Sequence, residues 1–499
     1  MLIGTRRLLF CVLTFALASP VTPPLRVGAQ GAPPAEARAA RVEQGLLPGI
    51  VIAGRPLPVR PLAERMAALK TPGVSVAVIN DGRIEWARGY GVADAGGNAP
   101  VTPQTLFQAA SLSKPVASLA ALRLVEQGKL ALDEDVNARL TSWKVPENDF
   151  TKTEKVTLRR LLSHTAGLTV SGFPGYSAGA PVPALVQVLD GQKPANTAAI
   201  RADVVPGTIS RYSGGGYTVM QQLLMDITGR PFPSLAADLV LKPVGMTDST
   251  YEQPLPEARR AAAASGHLAT GGLLPGRYHT YPEMAAAGLW TTPTDLARFL
   301  IEMQKALQGK SAILSASMAR QMVTDQKGSY GLGLGLEGAG ASAAFGHGGS
   351  NAGFKCGMTA FIESGRGAVV MTNGDQGGRL ASEVLRAVAA EYDWPARRPR
   401  VKTIATVDPS ALAPLAGRYE LRPGRVLTVS LEGGTLFVID GKERVELYPE
   451  SPTRFFELVQ EADVEFVRGQ DGAVSHMLLN GQQKVPRLAQ PPAMAPSTM

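Results

Sequence analysis

The chain has 499 residues, 45% of them hydrophobic and 18% charged. That is the composition of a globular protein of more than one domain, and its 54 glycines and 38 prolines imply many turns. The net charge of +8 is spread thinly, with no long Lys/Arg run and no nucleic-acid motif, so no nucleic-acid partner is expected.

Arg6 and Arg7 precede an apolar run over residues 8–18, and Ala16-Leu17-Ala18 or Val27-Gly28-Ala29 offers small residues for cleavage. This reads as a signal peptide within residues 1–29, with an uncleaved anchor as the alternative. The apolar run is too short for a comfortable membrane span, and no later stretch resembles a transmembrane helix. A secreted or periplasmic location follows as the expectation. Cys11 lies in that segment, so after cleavage only Cys356 remains and no internal disulfide can form. Cys356 is expected to be a small buried hydrophobe on a strand.

Residues 30–59 read as an irregular leader. From about Leu62 a helix-like run leads into a strand over 73–79, the turn Asn80-Asp81-Gly82 and a second strand over 83–92, a hairpin by its turn chemistry. Helical patterns dominate from 111 to about 305. Strands return near 330–336, 359–362 and 368–372, and a helix follows Gly378. Residues 60–395 therefore predict one α/β (α+β) domain, a sheet built from its N- and C-terminal parts with an inserted helical lobe and a cleft between them. After a linker over 396–411 the pattern changes. Short alternating runs recur between Gly433-Gly434, Asp440-Gly441, Asp471-Gly472 and Asn480-Gly481, and about eight strands fit between 417 and 488. Residues 412–490 form a small all-β domain, a barrel or sandwich, expected to be a scaffold, lid or dimerisation module without chemistry of its own.

The chemistry centres on Ser111-Leu112-Ser113-Lys114. A side chain three residues along a helix lies on the same face, so Lys114 can reach Ser111. Pro115 is tolerated only in a first turn, which starts the helix close to Ser111 and leaves the serine among free backbone N–H groups. Three further patterns accompany it: Leu161-Leu162-Ser163-His164-Thr165-Ala166-Gly167, Pro206-Gly207-Thr208-Ile209-Ser210-Arg211-Tyr212-Ser213-Gly214, and Phe345-Gly346-His347-Gly348-Gly349-Ser350-Asn351. The five histidines show no ligand-spaced pair and there is no cysteine cluster, so neither a metal nor another cofactor is implied.

In this order and spacing the chain resembles the serine hydrolases of the class C β-lactamase and penicillin-binding-protein group, which includes D,D-carboxypeptidases, D-amino-acid peptidases and esterases. The resemblance covers about residues 60–390, and residues 412–490 are similar to lipocalin-like β-barrels. It implies an antiparallel sheet flanked by helices, with Ser111 as nucleophile, Lys114 as base, Tyr212 as proton relay, and His347 in place of a lysine on the strand lining the cleft. It further implies an oxyanion hole from the N–H groups of Ser111 and Ser350, with Ser213, Gly214 and Gly349 beside the substrate. Tyr217 and His164 read as structural. Gly214 stands where the family carries an asparagine, and a histidine at 347 resembles the peptidase and esterase branches more than the β-lactamases. The expected substrate is a small ester, peptide or cell-wall fragment, cleaved through an acyl-enzyme by an esterase or a D-amino-acid peptidase or carboxypeptidase. A β-lactamase and a non-catalytic cell-wall peptide sensor are the alternatives.

Overall fold

A computed structural model describes residues 34–489. The expected signal peptide and Cys11 lie outside the described residues.

The central strand is apolar on both faces, and its alternation assigns each residue to a side. In β1 (Gly73–Asn80), Val74, Val76 and Val78 enter one core, while Ala77 and Ile79 enter another. Asp81 and Gly82 both take left-handed φ, +51° and +68°, as a tight two-residue hairpin turn requires, and lead into β2 (Arg83–Gly91). The rest of the sheet comes from the C-terminal part: β3 (Gly335–Glu337), β4 (Ala344–Asn351), β5 (Phe354–Phe361) and β6 (Gly367–Thr372). The strand order is β2-β1-β6-β5-β4-β3, antiparallel throughout.

Helices α1 (Ala35–Gln44) and α5 (Gly377–Glu391) cover one face of the sheet. On the other face lies α4 (Pro293–Leu307), and beyond it the helical lobe that carries α2 (Ser113–Glu126) and α3 (Gly214–Thr228).

Two expectations are corrected. The described part of the segment 30–59 is not irregular: its Ala-, Glu- and Arg-rich stretch forms α1, which buries Ala39 and Val42 against α5, and Ile50–Ile52 pairs in parallel with Arg400–Lys402. The stretch 330–334 is not a strand. Gly333, at φ +94°, turns the chain inward so that its N–H reaches the Leu162 carbonyl (3.0 Å), and a Cβ there would lie 2.2 Å from Ser118 Oγ.

The C-terminal domain is a nearly closed barrel-shaped sheet of eight antiparallel strands in sequential order, from β7 (Gly417–Arg422) to β14 (Gln483–Pro486). Tyr419 and Arg487 form the bridge that joins its first strand to the end of its last. Tyr419, Leu436, Phe466 and Met477 fill its interior. Glu461 seats the barrel on the larger domain by accepting from the Gly49 N–H (2.6 Å) and from Arg386 of α5 (3.2 Å). Among the described residues no helix is long and apolar enough to cross a membrane.

Candidate active site

Ser111 lies in a tight 3-10 turn, Ala110–Leu112, and the α-helix proper begins two residues later at Ser113. Ala110, directly before the serine, has φ +50°, a conformation that costs a non-glycine residue free energy. Ser113 braces the turn: its Oγ donates to the Ala110 carbonyl (2.5 Å) and accepts from Leu289 N–H (3.0 Å). Cys356 of β5 supports it from beneath, with Sγ 3.0 Å from the Ala109 carbonyl.

Lys114 is buried, with Nζ 2.9 Å from Ser111 Oγ and 2.8 Å from the Ala286 carbonyl. Among the described residues it has no carboxylate partner, and burial pushes its pKa down to about 7. Asn351 ties the end of β4 to the same backbone segment by donating to the Ala287 carbonyl (3.1 Å) and to Gln108 Oε1 (3.0 Å).

Aromatic rings enclose the lysine. Its Nζ lies 4.9 Å from the Tyr212 ring centroid and 5.6 Å from that of Tyr217. Desolvation raises the Tyr212 phenol to about 12, an effect opposed by the Ser111 hydroxyl. Tyr217 is fully buried and its Oη donates to the Leu162 carbonyl (2.9 Å), so it is both core and wall. His164 lies against Tyr212 at 4.2 Å between centroids, the rings tilted by 41°, and its Nδ1 accepts from Ser213 N–H (3.1 Å), next to Tyr212 in the chain.

On the other side stands His347 of β4. Burial and the nearby Lys114 charge lower its pKa to about 4. Its Nε2 meets Tyr330 Oη, a residue that sequence reasoning passes over because a Tyr-Gly pair before a glycine run reads as ordinary strand. Beyond Gly346 the outer edge of β4 is not covered by β3. The two-residue turn Ala352-Gly353 makes Asn351 and Phe354 a hydrogen-bonded pair, so the alternate residues Ser350 and Gly348 aim their N–H and C=O groups away from β5, off that edge. A cleft of about 400 Å³ opens there, lined by Tyr212, Tyr330, His347 and Gly348 and reaching Arg397.

Ser111, Lys114 and Tyr212 are thus brought together, with the His347 ring 6.0 Å from that of Tyr212 and Ser350 three residues further along the same strand. Two other expectations are corrected. Ser213 is buried and its hydroxyl serves the start of α3, donating to the Thr169 carbonyl (2.9 Å) and accepting from Gly216 N–H (3.0 Å), so it does not face a substrate. Gly349 faces the protein's own turn, because a Cβ there would sit 2.5 Å from both the Ala109 carbonyl and Cys356 Sγ. Gly214 retains its place beside Tyr212.

A mixed fold with a serine and a buried lysine at the foot of an open strand edge defines the β-lactamase-like class. The chain belongs to the beta-lactamase family, whose model matches residues 60–392, and residues 402–490 match a domain of unknown function, DUF3471. It is 28% identical to penicillin-binding protein 4 of Amycolatopsis lactamdurans over 391 residues, 72% of this chain and 97% of that protein. It is 25% identical to penicillin-binding protein 4* of Bacillus subtilis over 437 residues, 81% of this chain and 92% of that one. The octameric penicillin-binding protein homologue from Pyrococcus abyssi shares the fold with a TM-score of 0.57 at 21% identity, covering 85% of this chain and 97% of that chain. The D-amino acid amidase of Ochrobactrum anthropi does so with a TM-score of 0.55 at 21% identity, covering 72% and 99%.

Proposed function

We propose that the protein is a serine hydrolase that cleaves an ester or amide through a covalent acyl-enzyme. The observation that carries this reading is the 2.9 Å contact between Ser111 Oγ and the Nζ of a buried lysine with no acidic partner among the described residues. A serine hydroxyl is a weak nucleophile until a neighbouring base takes its proton. A lysine with a pKa near 7 supplies that base in its neutral form.

Ser111 Oγ attacks the carbonyl carbon while its proton passes to Lys114 Nζ. The negative charge that develops on the carbonyl oxygen is met by the N–H groups of Ser111 and Ser350. Collapse of the tetrahedral intermediate breaks the bond to the leaving group, which takes a proton relayed through Tyr212. Water then adds to the acyl-enzyme, again losing a proton to Lys114, and releases the acid.

A fluorescent fluorophosphonate tests the reading directly. It should label the wild type and fail to label Ser111→Ala, and correctly folded wild type that remains unlabelled would exclude the mechanism. Short-chain nitrophenyl esters, D- and L-amino-acid anilides, a D-Ala-D-Ala peptide and a chromogenic cephalosporin then assign the branch.

A further inference from the structure

The segment 161–167 gives no atom to the acyl-transfer mechanism, yet it lies along the stretch that carries Tyr212. Tyr212 is 38% exposed and lines the cleft, and among the described residues it makes no backbone hydrogen bond of its own. Its two neighbours are both held by one residue, His164. The His164 carbonyl accepts from Arg211 N–H (2.8 Å), and its Nδ1 accepts from Ser213 N–H (3.1 Å). The same imidazole lies against the Tyr212 ring, so His164 meets the tyrosine and both residues beside it.

This arrangement costs free energy in two ways. His164 has φ +59°, a left-handed conformation that a residue with a Cβ enters only at a cost. Burial, and after it the charge of Lys114, holds the imidazole neutral. Since Nδ1 accepts a hydrogen bond, the hydrogen of the neutral ring sits on Nε2. That atom is buried and has no hydrogen-bond partner among the described residues. Around the ring stand those of Tyr212, Tyr330 and Tyr217, with centroids 4.2, 4.7 and 5.3 Å from its own. A buried N–H without an acceptor is unfavourable, and a phenylalanine would fill this space without one. Packing alone therefore does not call for an imidazole. What histidine adds is the Nδ1 acceptor beside Tyr212.

We propose that His164 is a positioning residue for proton delivery, holding the backbone on both sides of Tyr212 and the face of its ring so that the phenol stays directed at the leaving group. This rests on the acyl-enzyme reading above, with Tyr212 as its relay. The Tyr212 phenol meets the Ser111 hydroxyl, and its ring lies 4.9 Å from Lys114 Nζ, so the orientation of this one side chain sets the proton's path. When the tetrahedral intermediate collapses, the carbon–oxygen bond to the leaving group breaks. The proton that Lys114 took from Ser111 passes through the phenol to the departing oxygen, and an alcohol leaves. A group that departs as a stable anion does not need that proton, whereas an alkoxide does. The contribution of His164 is therefore specific to poor leaving groups.

The test compares kcat/KM for ethyl butanoate and nitrophenyl butanoate, which form the same acyl-enzyme and differ only in the group expelled. The wild type should cleave both. His164→Asn tolerates the left-handed backbone and keeps a side-chain acceptor, but takes the ring away from Tyr212. It should lower kcat/KM for the ethyl ester about tenfold more than for the nitrophenyl ester. His164→Phe keeps a ring, leaves the Ser213 N–H without its acceptor and should show the same selective loss. Should the phenylalanine variant fail to fold, the asparagine variant decides. Tyr212→Phe should show a larger selective loss, and adding His164→Asn to it should leave the ratio of the two esters unchanged. Equal losses on the two esters, no loss on either, or a ratio that shifts again in the double variant overturns the inference and leaves the hydrolase reading standing. So does a wild type that takes the fluorophosphonate but does not cleave the ethyl ester. A folded wild type that the fluorophosphonate fails to label brings down both.

Discussion

Tyr330 Oη stands 2.9 Å from His347 Nε2, while the same imidazole places Nδ1 2.5 Å from the Gly348 carbonyl. A carbonyl can only accept, so Nδ1 carries the proton and Nε2 accepts from the tyrosine. With its pKa near 4, the ring is neutral at physiological pH and holds no proton for a leaving group. On the proposed mechanism His347 is therefore a positioning residue, held between Tyr330 and the Gly348 carbonyl. His347→Ala is expected to lower kcat/KM by roughly tenfold, well short of the roughly 10²- to 10⁴-fold that a general base contributes. A pH–rate profile checks the assignment: its acidic limb should stay in place in the variant.

That limb belongs to Lys114. Its folded pKa of about 7 means that the nucleophile's base is protonated below that value and free above it. The kcat/KM of the wild type should therefore rise through pH 7 and level off. Lys114→Ala should reduce kcat/KM by about 10³-fold, and ester turnover that persists unchanged would remove the lysine from the mechanism.

Glu283 is fully buried, neither carboxylate oxygen has a partner among the described residues, and desolvation raises its pKa to about 7. Between its unfolded value near 4.5 and about 7 the native state binds the proton more tightly than the unfolded chain, so stability falls as pH rises through that window. Above pH 7 the penalty is complete, on the order of 3 kcal/mol. Glu283→Gln should raise the melting temperature at pH 8 and leave it nearly unchanged at pH 4. Melting curves at the two pH values read this directly.

Gly348 and Gly349 are adjacent but should respond in opposite ways. A Cβ on Gly349 lies 2.5 Å from the Ala109 carbonyl and from Cys356 Sγ, whereas one on Gly348 meets nothing closer than 4.0 Å. Gly349→Ala should displace the turn of Ser111, lowering both thermal stability and fluorophosphonate labelling. Gly348→Ala should leave the melting temperature within about 1 °C of wild type, in line with the small effect of an unobstructed substitution.

The hairpin over β1 and β2 and the eight barrel strands were legible because their signals are local: alternation of apolar residues and turns such as Asp81-Gly82. Motif order singles out Ser111, Lys114, Tyr212 and His347, and the fold brings these four near one another. Helix α1 was missed because a Pro- and Gly-rich neighbourhood masked ten residues of good helix formers. Tyr330 and Glu283 carry no local signature. What they do depends on contacts across the fold, with His347 and with an apolar surround that denies a carboxylate its partners.

The thiol beneath the nucleophile's turn has a chemical consequence of its own. Cys356 is buried, and desolvation pushes its ionisation up to about 12, so almost none of it is thiolate at neutral pH. Oxidants and disulfides react with the thiolate. The sulfur under Ala109 can thus support the turn in an oxidising medium without becoming a point of inactivation, and the site keeps its geometry where an exposed thiol would not survive.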